Sequence, residues 1–174
     1  MFKILAIIVA LIAALLVYAT TRPDTFRVQR SNTIKATPEK IFALINDFRG
    51  WSRWSPYDKL DPGMSKTISN VATGPGAVYE WEGNNQVGKG RMEIIESSPS
   101  SKILIKLDFV RPFEGHNTAE FTLEPVGSET RVTWSTQGPC PYLSKLMGIF
   151  MNMDTLIGKE FENGLANLKA IAEK

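Results

Sequence analysis

Between residues 77 and 134 the apolar side chains recur at every second position, and this period constrains the fold more than any other feature. Ala77, Tyr79 and Trp81 alternate with Glu80 and Glu82, and Ile103, Ile105, Leu107 and Phe109 alternate with Lys106 and Asp108. Ala119, Phe121 and Leu123 alternate with Glu120 and Glu124, and Val132 and Trp134 with Arg131 and Thr133. A period of two belongs to a half-buried strand, whose successive side chains point to opposite faces. Turn residues bound the runs: Gly74-Pro75-Gly76, Gly83-Asn84-Asn85, Ser97 to Ser101 and Gly127-Ser128. Such short connections join antiparallel neighbours, so the segment predicts a meander of six successive strands with one apolar and one polar face.

A sheet with one apolar face must cover it. After Pro139-Cys140-Pro141 the period changes to that of a helix: Leu146, Phe150, Met153, Ile157, Phe161, Leu165, Leu168 and Ala172 step by three and four along one stripe. This predicts one long C-terminal helix as the cover. Gly158 and Gly164 lie inside it, each costing about 1 kcal/mol against alanine, which predicts close approach of helix to strand there. Upstream of the meander, Phe26 to Ala36 reads as an edge strand. Thr37-Pro38-Glu39 then supplies an N-cap, a proline at the first helical position and a first-turn acid, and Ile41, Phe42, Leu44, Ile45 and Phe48 continue at helical spacing. Gly50 ends that helix, and Trp51 to Pro62, with two tryptophans and no period, reads as a structured loop or short helical turn.

The N-terminus is different in kind. From Phe2 to Thr21 only Lys3 is charged, and Ile4 to Ala19 is wholly apolar. About 20 apolar residues cross a hydrocarbon layer of about 30 Å, Lys3 can snorkel, and Arg22-Pro23 stop the helix. Residues 1–21 therefore read as a single-pass anchor, 22–25 as a linker and 26–174 as the folded domain. A cleavable signal peptide competes, with Val17-Tyr18-Ala19 presenting small residues for a cut after Ala19, although the apolar core is long for that role. Lys3 faces Arg22, Arg27, Arg30 and Lys35 across the segment, which leans toward a cytoplasmic domain by the positive-inside rule. The anchored reading places the chain in a bacterial inner membrane with the face open; cleavage would leave it periplasmic or secreted.

Composition removes several classes of function. Cys140 is the only cysteine and His116 the only histidine, so neither a disulfide scaffold nor a cysteine–histidine zinc site can form. Twenty basic and 18 acidic residues are mixed along the chain, without the basic stripe of a nucleic-acid binder. No glycine-rich phosphate loop, nucleophile elbow or metal-ligand spacing occurs, so no cofactor and no metal is expected.

Strand, short helices, meander and long C-terminal helix is the order of the helix-grip fold, an α+β architecture. The sequence resembles the SRPBCC superfamily of START-like and birch-pollen-allergen-like (Bet v 1-like) domains, in particular its polyketide cyclase/dehydrase and lipid-transport branch. The resemblance is carried by residues 36–42 (ATPEKIF), 51–56 (WSRWSP), 130–134 (TRVTW), and the C-terminal stretches from Met153-Asp154 to Ile157-Gly158 and from Phe161 to Lys169. It implies a curved antiparallel sheet of six or seven strands wrapped on the last helix around a hydrophobic cavity. Inward parity would then put Tyr79, Trp81, Met92, Leu107, Phe109, Phe121 and Trp134 on the cavity side. Met147, Phe150, Met151 and Met153 would face it from the helix, with Trp54 and Tyr57 at the mouth. Three of the five methionines other than Met1 fall within residues 147–153, and flexible thioethers re-pack around varied apolar shapes. Apolar pockets and apolar cores use the same residue types, so core packing is the alternative at each position.

Chemistry-bearing candidates are few. His116 is the obvious proton carrier, but its parity with Thr118 points it away from the cavity unless a bulge at Gly115 reverses it. Asp154, beside the methionines, is either poised at a mouth or paired with a basic side chain such as Arg53. Cys140, between two prolines, reads as a loop thiol. The expected function is membrane-anchored binding, transport or sensing of a lipid-, isoprenoid- or polyketide-like molecule. Its partners would be that ligand and the membrane. The alternatives are a cyclase or dehydratase using His116, Tyr79 or Asp154, and an envelope interaction module whose cavity is filled by its own side chains.

Overall fold

A computed structural model describes residues 2–174. The chain begins with helix α1 (Phe2–Thr20), followed by β1 (Thr25–Ile34) and α2 (Pro38–Asn46), a 3-10 segment (Phe48–Arg53) and the one-turn helix α3 (Tyr57–Leu60). Six strands follow: β2 (Ser65–Ile68), β3 (Val78–Glu82), β4 (Lys89–Ser98), β5 (Lys102–Arg111), β6 (Gly115–Val126) and β7 (Glu129–Pro139). Two helices close the chain, α4 (Tyr142–Phe150) and α5 (Met153–Ala172).

The strands make one antiparallel seven-stranded sheet in the order β1-β7-β6-β5-β4-β3-β2. The meander β2 to β7 is therefore present as its period predicts, and β1 closes over β7 with Phe26 opposite Gly138 and Ile34 opposite Thr130. Inward residues Ile103, Ile105, Phe121 and Val132 are fully buried. The α2 helix starts as its sequence dictates, with the Thr37 hydroxyl accepting from the Lys40 amide and proline in the first turn. Its end is fixed by Asp47, whose carboxylate accepts the Arg49 amide at 2.9 Å and so begins the 3-10 segment.

The C-terminal cover differs from the single helix expected. It breaks at Met151, which is extended, and restarts at Asn152, whose side-chain oxygen accepts the Thr155 amide at 3.1 Å. An asparagine side chain offers the backbone an alternative to helix continuation, and the apolar stripe conceals this because both halves carry it. The two glycines of α5 sit where the helix meets the sheet, as predicted. A Cβ on Gly164 would lie 2.7 Å from the Trp134 ring and 3.1 Å from Pro56, and one on Gly158 would collide with the Arg30 guanidinium.

Arg30 clamps α5 to β1. Its guanidinium donates to both carboxylate oxygens of Asp154, at 2.9 and 3.1 Å, and to Glu162 at 2.9 Å. Hydrogen bonding to Arg30 holds the Asp154 carboxyl below its ordinary value of 3.8. A depressed carboxyl pKa stabilises the folded state above the ordinary value and ceases to do so as pH falls through the folded one. We expect Asp154→Asn to lower the urea midpoint near pH 6 and its difference from wild type to shrink as pH falls below the ordinary value of 3.8. Gly164→Val, which drives side-chain atoms into Trp134 and Pro56, should cost about 1–3 kcal/mol in the same urea titrations.

Candidate functional site

Covering a wide sheet with one helix leaves space, and the space is organised by aromatic residues. Phe161 of α5 stacks on Trp134 of β7 with ring centroids 4.1 Å apart and planes 10° apart. Phe121 stacks on the other side of Trp134 at 4.9 Å, and Trp54 meets it edge-on at 5.8 Å. Beyond this stack, toward β3–β5, lies a cavity of about 180 Å³. Its floor is the sheet: Tyr79 and Trp81 from β3, Met92 from β4, Ile105, Leu107 and Phe109 from β5, Asn117 and Ala119 from β6, Trp134 and Thr136 from β7. The roof is Ile157 and Phe161 of α5, with Trp51, Ser55, Tyr57 and Met64 from the segments after α2. Phe26 of β1 and the β3–β4 turn residues Gln86 and Val87 complete it.

The side walls are held in place by specific contacts. Trp81 donates its indole N–H to the Val87 carbonyl at 2.9 Å and meets Phe109 edge-on at 5.6 Å. Its ring lies over Gly90, where a Cβ would stand 2.4 Å from it. Trp51 and Trp54 donate to the carbonyls of Ile45 and Leu44 at 2.8 and 3.2 Å. Among the described residues, Trp134 Nε1 is a buried side-chain N–H with no hydrogen-bond partner. Burial pushes the phenol of Tyr57 well above the ordinary tyrosine range, the Glu160 charge adding to it. Burial does the same to Tyr79, with the Asp58 charge adding. Both phenols are therefore held in their neutral form, as hydrogen-bond donors and weak acids.

Seven of the anticipated residues, Tyr57, Tyr79, Trp81, Met92, Leu107, Phe109 and Trp134, come together on this cavity. Five do not. Trp54 and Phe121 are fully buried in the aromatic stack behind it. Met147, half-buried, sits on α4, while Phe150, 73% exposed, and Met151 and Met153, also exposed, project from the break before α5. The reason is the Asn152 restart, which sends α4 off the sheet and against α1.

The polar candidates are also placed. No bulge occurs at Gly115: His116 pairs in register with Asp108 on the outer face, and its Nδ1 lies 2.8 Å from the Asp108 carboxylate. That contact, with Lys106 beside it, holds the Asp108 carboxyl below its ordinary value. The sheet thus stands between His116 and the cavity. Asp154 is paired as one reading held, but with Arg30 rather than Arg53, because β1 and not the tryptophan loop runs under the start of α5. Cys140 is half-buried after β7, its amide donating to the Asp24 carbonyl at 2.7 Å. Asn117 and Thr136 were missed although both share the inward parity of their strands, where a polar residue is itself a signal. Met64, Gln86 and Val87 lie in aperiodic segments and left no such trace.

The family model described as polyketide cyclase / dehydrase and lipid transport matches residues 25–173. No match is found among curated proteins. Similar solved structures share the fold at low identity. A protein from Chromobacterium violaceum aligns with a TM-score of 0.61 and 18% identity over 88% of this chain and 99% of its own. One from Thermobifida fusca aligns with a TM-score of 0.61 and 20% identity over 82% and 90%. The di-domain ARO/CYC StfQ from the steffimycin biosynthetic pathway aligns with a TM-score of 0.64 and 11% identity over 86% of this chain and 51% of its own. The sheet order, the covering helix and the match over nearly all of the chain after α1 agree: the chain belongs to the polyketide cyclase / dehydrase and lipid transport family.

Proposed function

We propose that this protein binds a hydrophobic small molecule in the cavity between sheet and α5, as a carrier or sensor tethered to a membrane by α1. The observation that supports it most directly is the cavity itself, roofed and floored by aromatic and aliphatic side chains with few polar groups among them. At about 180 Å³ it is a little larger than a cavity of about 150 Å³ that accepts benzene. One ring or a short branched chain fits it as it stands. Burying about 200 Å² of such a group contributes roughly 5 kcal/mol gross at 25 cal/mol per Å². Association costs consume most of that. Useful affinity therefore calls for a longer ligand whose remainder packs at the mouth, which fits a lipid-, isoprenoid- or polyketide-like compound better than a bare ring.

A second reading, cyclisation or dehydration of an apolar substrate, is supported by the two buried phenols. Tyr57 and Tyr79 line the cavity, so either can donate a hydrogen bond that polarises a bound oxygen, although burial makes both phenols weaker acids than an exposed tyrosine. His116 is outside that geometry.

Ala119 is a small residue of the cavity floor, and Ala119→Leu projects a larger apolar side chain into the space. Full-length wild type and Ala119→Leu, purified from the same host and extracted with organic solvent, should share annular lipids but differ in one bound compound class present only with wild type. Identical extracts, with both proteins folded, would defeat the binding reading. With that compound in hand, Tyr79→Phe separates the two functions: turnover lost with binding retained makes the protein an enzyme, and no turnover by wild type makes it a carrier. His116→Ala should leave binding within about twofold of wild type, since the sheet lies between it and the ligand.

A further inference from the structure

The mouth of the cavity and the helix that left the sheet lie at the same end of the molecule as α1. The half-exposed lining residues Phe26, Phe109 and Asn117 sit at the ends of β1, β5 and β6 nearest the α1–β1 junction: Phe26 is opposite Gly138, and Phe109 opposite Gly115. Ile157 joins them from the first turns of α5. Beside this mouth, α4 and the Cys140-Pro141 segment leading into it make three contacts, one with α1 and two with Asp24 in the linker that follows it. The Tyr142 hydroxyl donates to the Leu16 carbonyl at 3.0 Å. Lys145, whose side chain is 9% exposed, donates to the Asp24 carboxylate at 2.5 Å. The Asp24 carbonyl accepts the Cys140 amide just before α4. The hydrogen bond from Lys145 holds the Asp24 carboxyl below its ordinary value.

These ties fix a depth. The 19 residues of α1 span about 29 Å at about 1.5 Å per residue, close to the whole hydrocarbon thickness of about 30 Å. Leu16 lies four residues before the end of α1, about 6 Å below it along the axis. A side chain hydrogen-bonded to Leu16 cannot then stand in bulk water while α1 spans. The surface of α4 and of the break that follows matches that position. Tyr142, Leu143, Phe150, Met151, Met153 and Leu156 are each between 44% and 73% exposed, and the one basic residue of α4, Lys145, is turned inward to Asp24.

We propose that α4 and the α4–α5 junction form an interfacial docking surface that lies in the headgroup layer of the bilayer, holding the cavity mouth against the membrane so that an apolar ligand passes between leaflet and cavity without crossing water. The occupant of this apolar face is lipid. Continuity with the spanning helix argues for it, since Tyr142, the first residue of α4 and part of this exposed face, is hydrogen-bonded one turn inside the end of α1. The inference rests on α1 being a membrane anchor and adds to it a second membrane contact and a direction for the ligand's route.

The test uses the full chain in mixed phosphatidylcholine and phosphatidylglycerol vesicles. Single cysteines in a Cys140→Ser background carry a nitroxide at Leu11 in α1, at Leu143 and Phe150 in α4, and at exposed Thr67 in β2. Accessibility to oxygen and to a water-soluble nickel complex is then read by electron paramagnetic resonance. We expect Leu11 to be lipid-like, Thr67 water-like, and the oxygen-to-nickel ratio at Leu143 and Phe150 to exceed that at Thr67 by about tenfold or more. A lipid-like Leu11 with water-like Leu143 and Phe150 would overturn the docking surface and leave the anchor standing. Labels at Leu143 and Phe150 shielded from both reagents would mean that protein, such as a second copy, covers the face, which also overturns it. A water-like Leu11 would remove the anchor itself.

Discussion

The stack of Phe161 on Trp134 is the contact on which the rest of the structure depends. It is where α5 lies down on the sheet, and it is possible only because Gly164 presents no side chain to the Trp134 ring. The near-parallel rings, with Phe121 behind and Trp54 across the edge, form a column of apolar surface through the domain. Aromatic pairs of this kind contribute about 0.5–1.5 kcal/mol each beyond the area they bury. The Arg30 clamp acts at the next turns of the same helix, binding Asp154 and Glu162 and fixing the rotation of α5 over β1.

The cavity follows from a mismatch of widths. Seven strands about 4.8 Å apart make a sheet about 29 Å across, while one helix with its side chains is about 10–12 Å wide. Helix α5 packs on β1 and β7, at one side of the sheet. The segments after α2 bring Trp51, Tyr57 and Met64 over the other side, and they do not fill it. What remains is lined by side chains too large and too constrained to collapse inward. Trp81 is held by its hydrogen bond to Val87, and Trp51 by its bond to Ile45. A void between rigid walls, rather than a dedicated binding motif, is what the fold offers to a ligand.

Much of this was legible in the chain. Parity alone put Tyr79, Trp81, Leu107, Phe109 and Trp134 on one face, because a strand's two-residue period leaves only two choices. The same parity turned His116 outward, where it meets Asp108. The two glycines of α5 announced the helix–sheet contact by their cost. Parity does not, however, distinguish a residue that lines a void from one a single layer deeper: Phe121 has the inward orientation of its neighbours and is entirely core. Nor does helical spacing reveal where a helix breaks if the apolar stripe runs through the break, which is how Met147, Phe150 and Met151 came to be expected at the cavity.

Local pattern by itself determined the strands, the face each presents, the covering helix and the apolar N-terminal segment, since each depends on chain period and composition within a few residues. Only tertiary structure decided which inward residues border empty space, which cation pairs with Asp154, and where α4 goes. Those outcomes depend on distances between segments far apart in the chain: Arg30 to Asp154, Tyr142 to Leu16, Phe161 to Trp134. No local period encodes such distances, because they are set by how a curved sheet and a narrower helix share one interior.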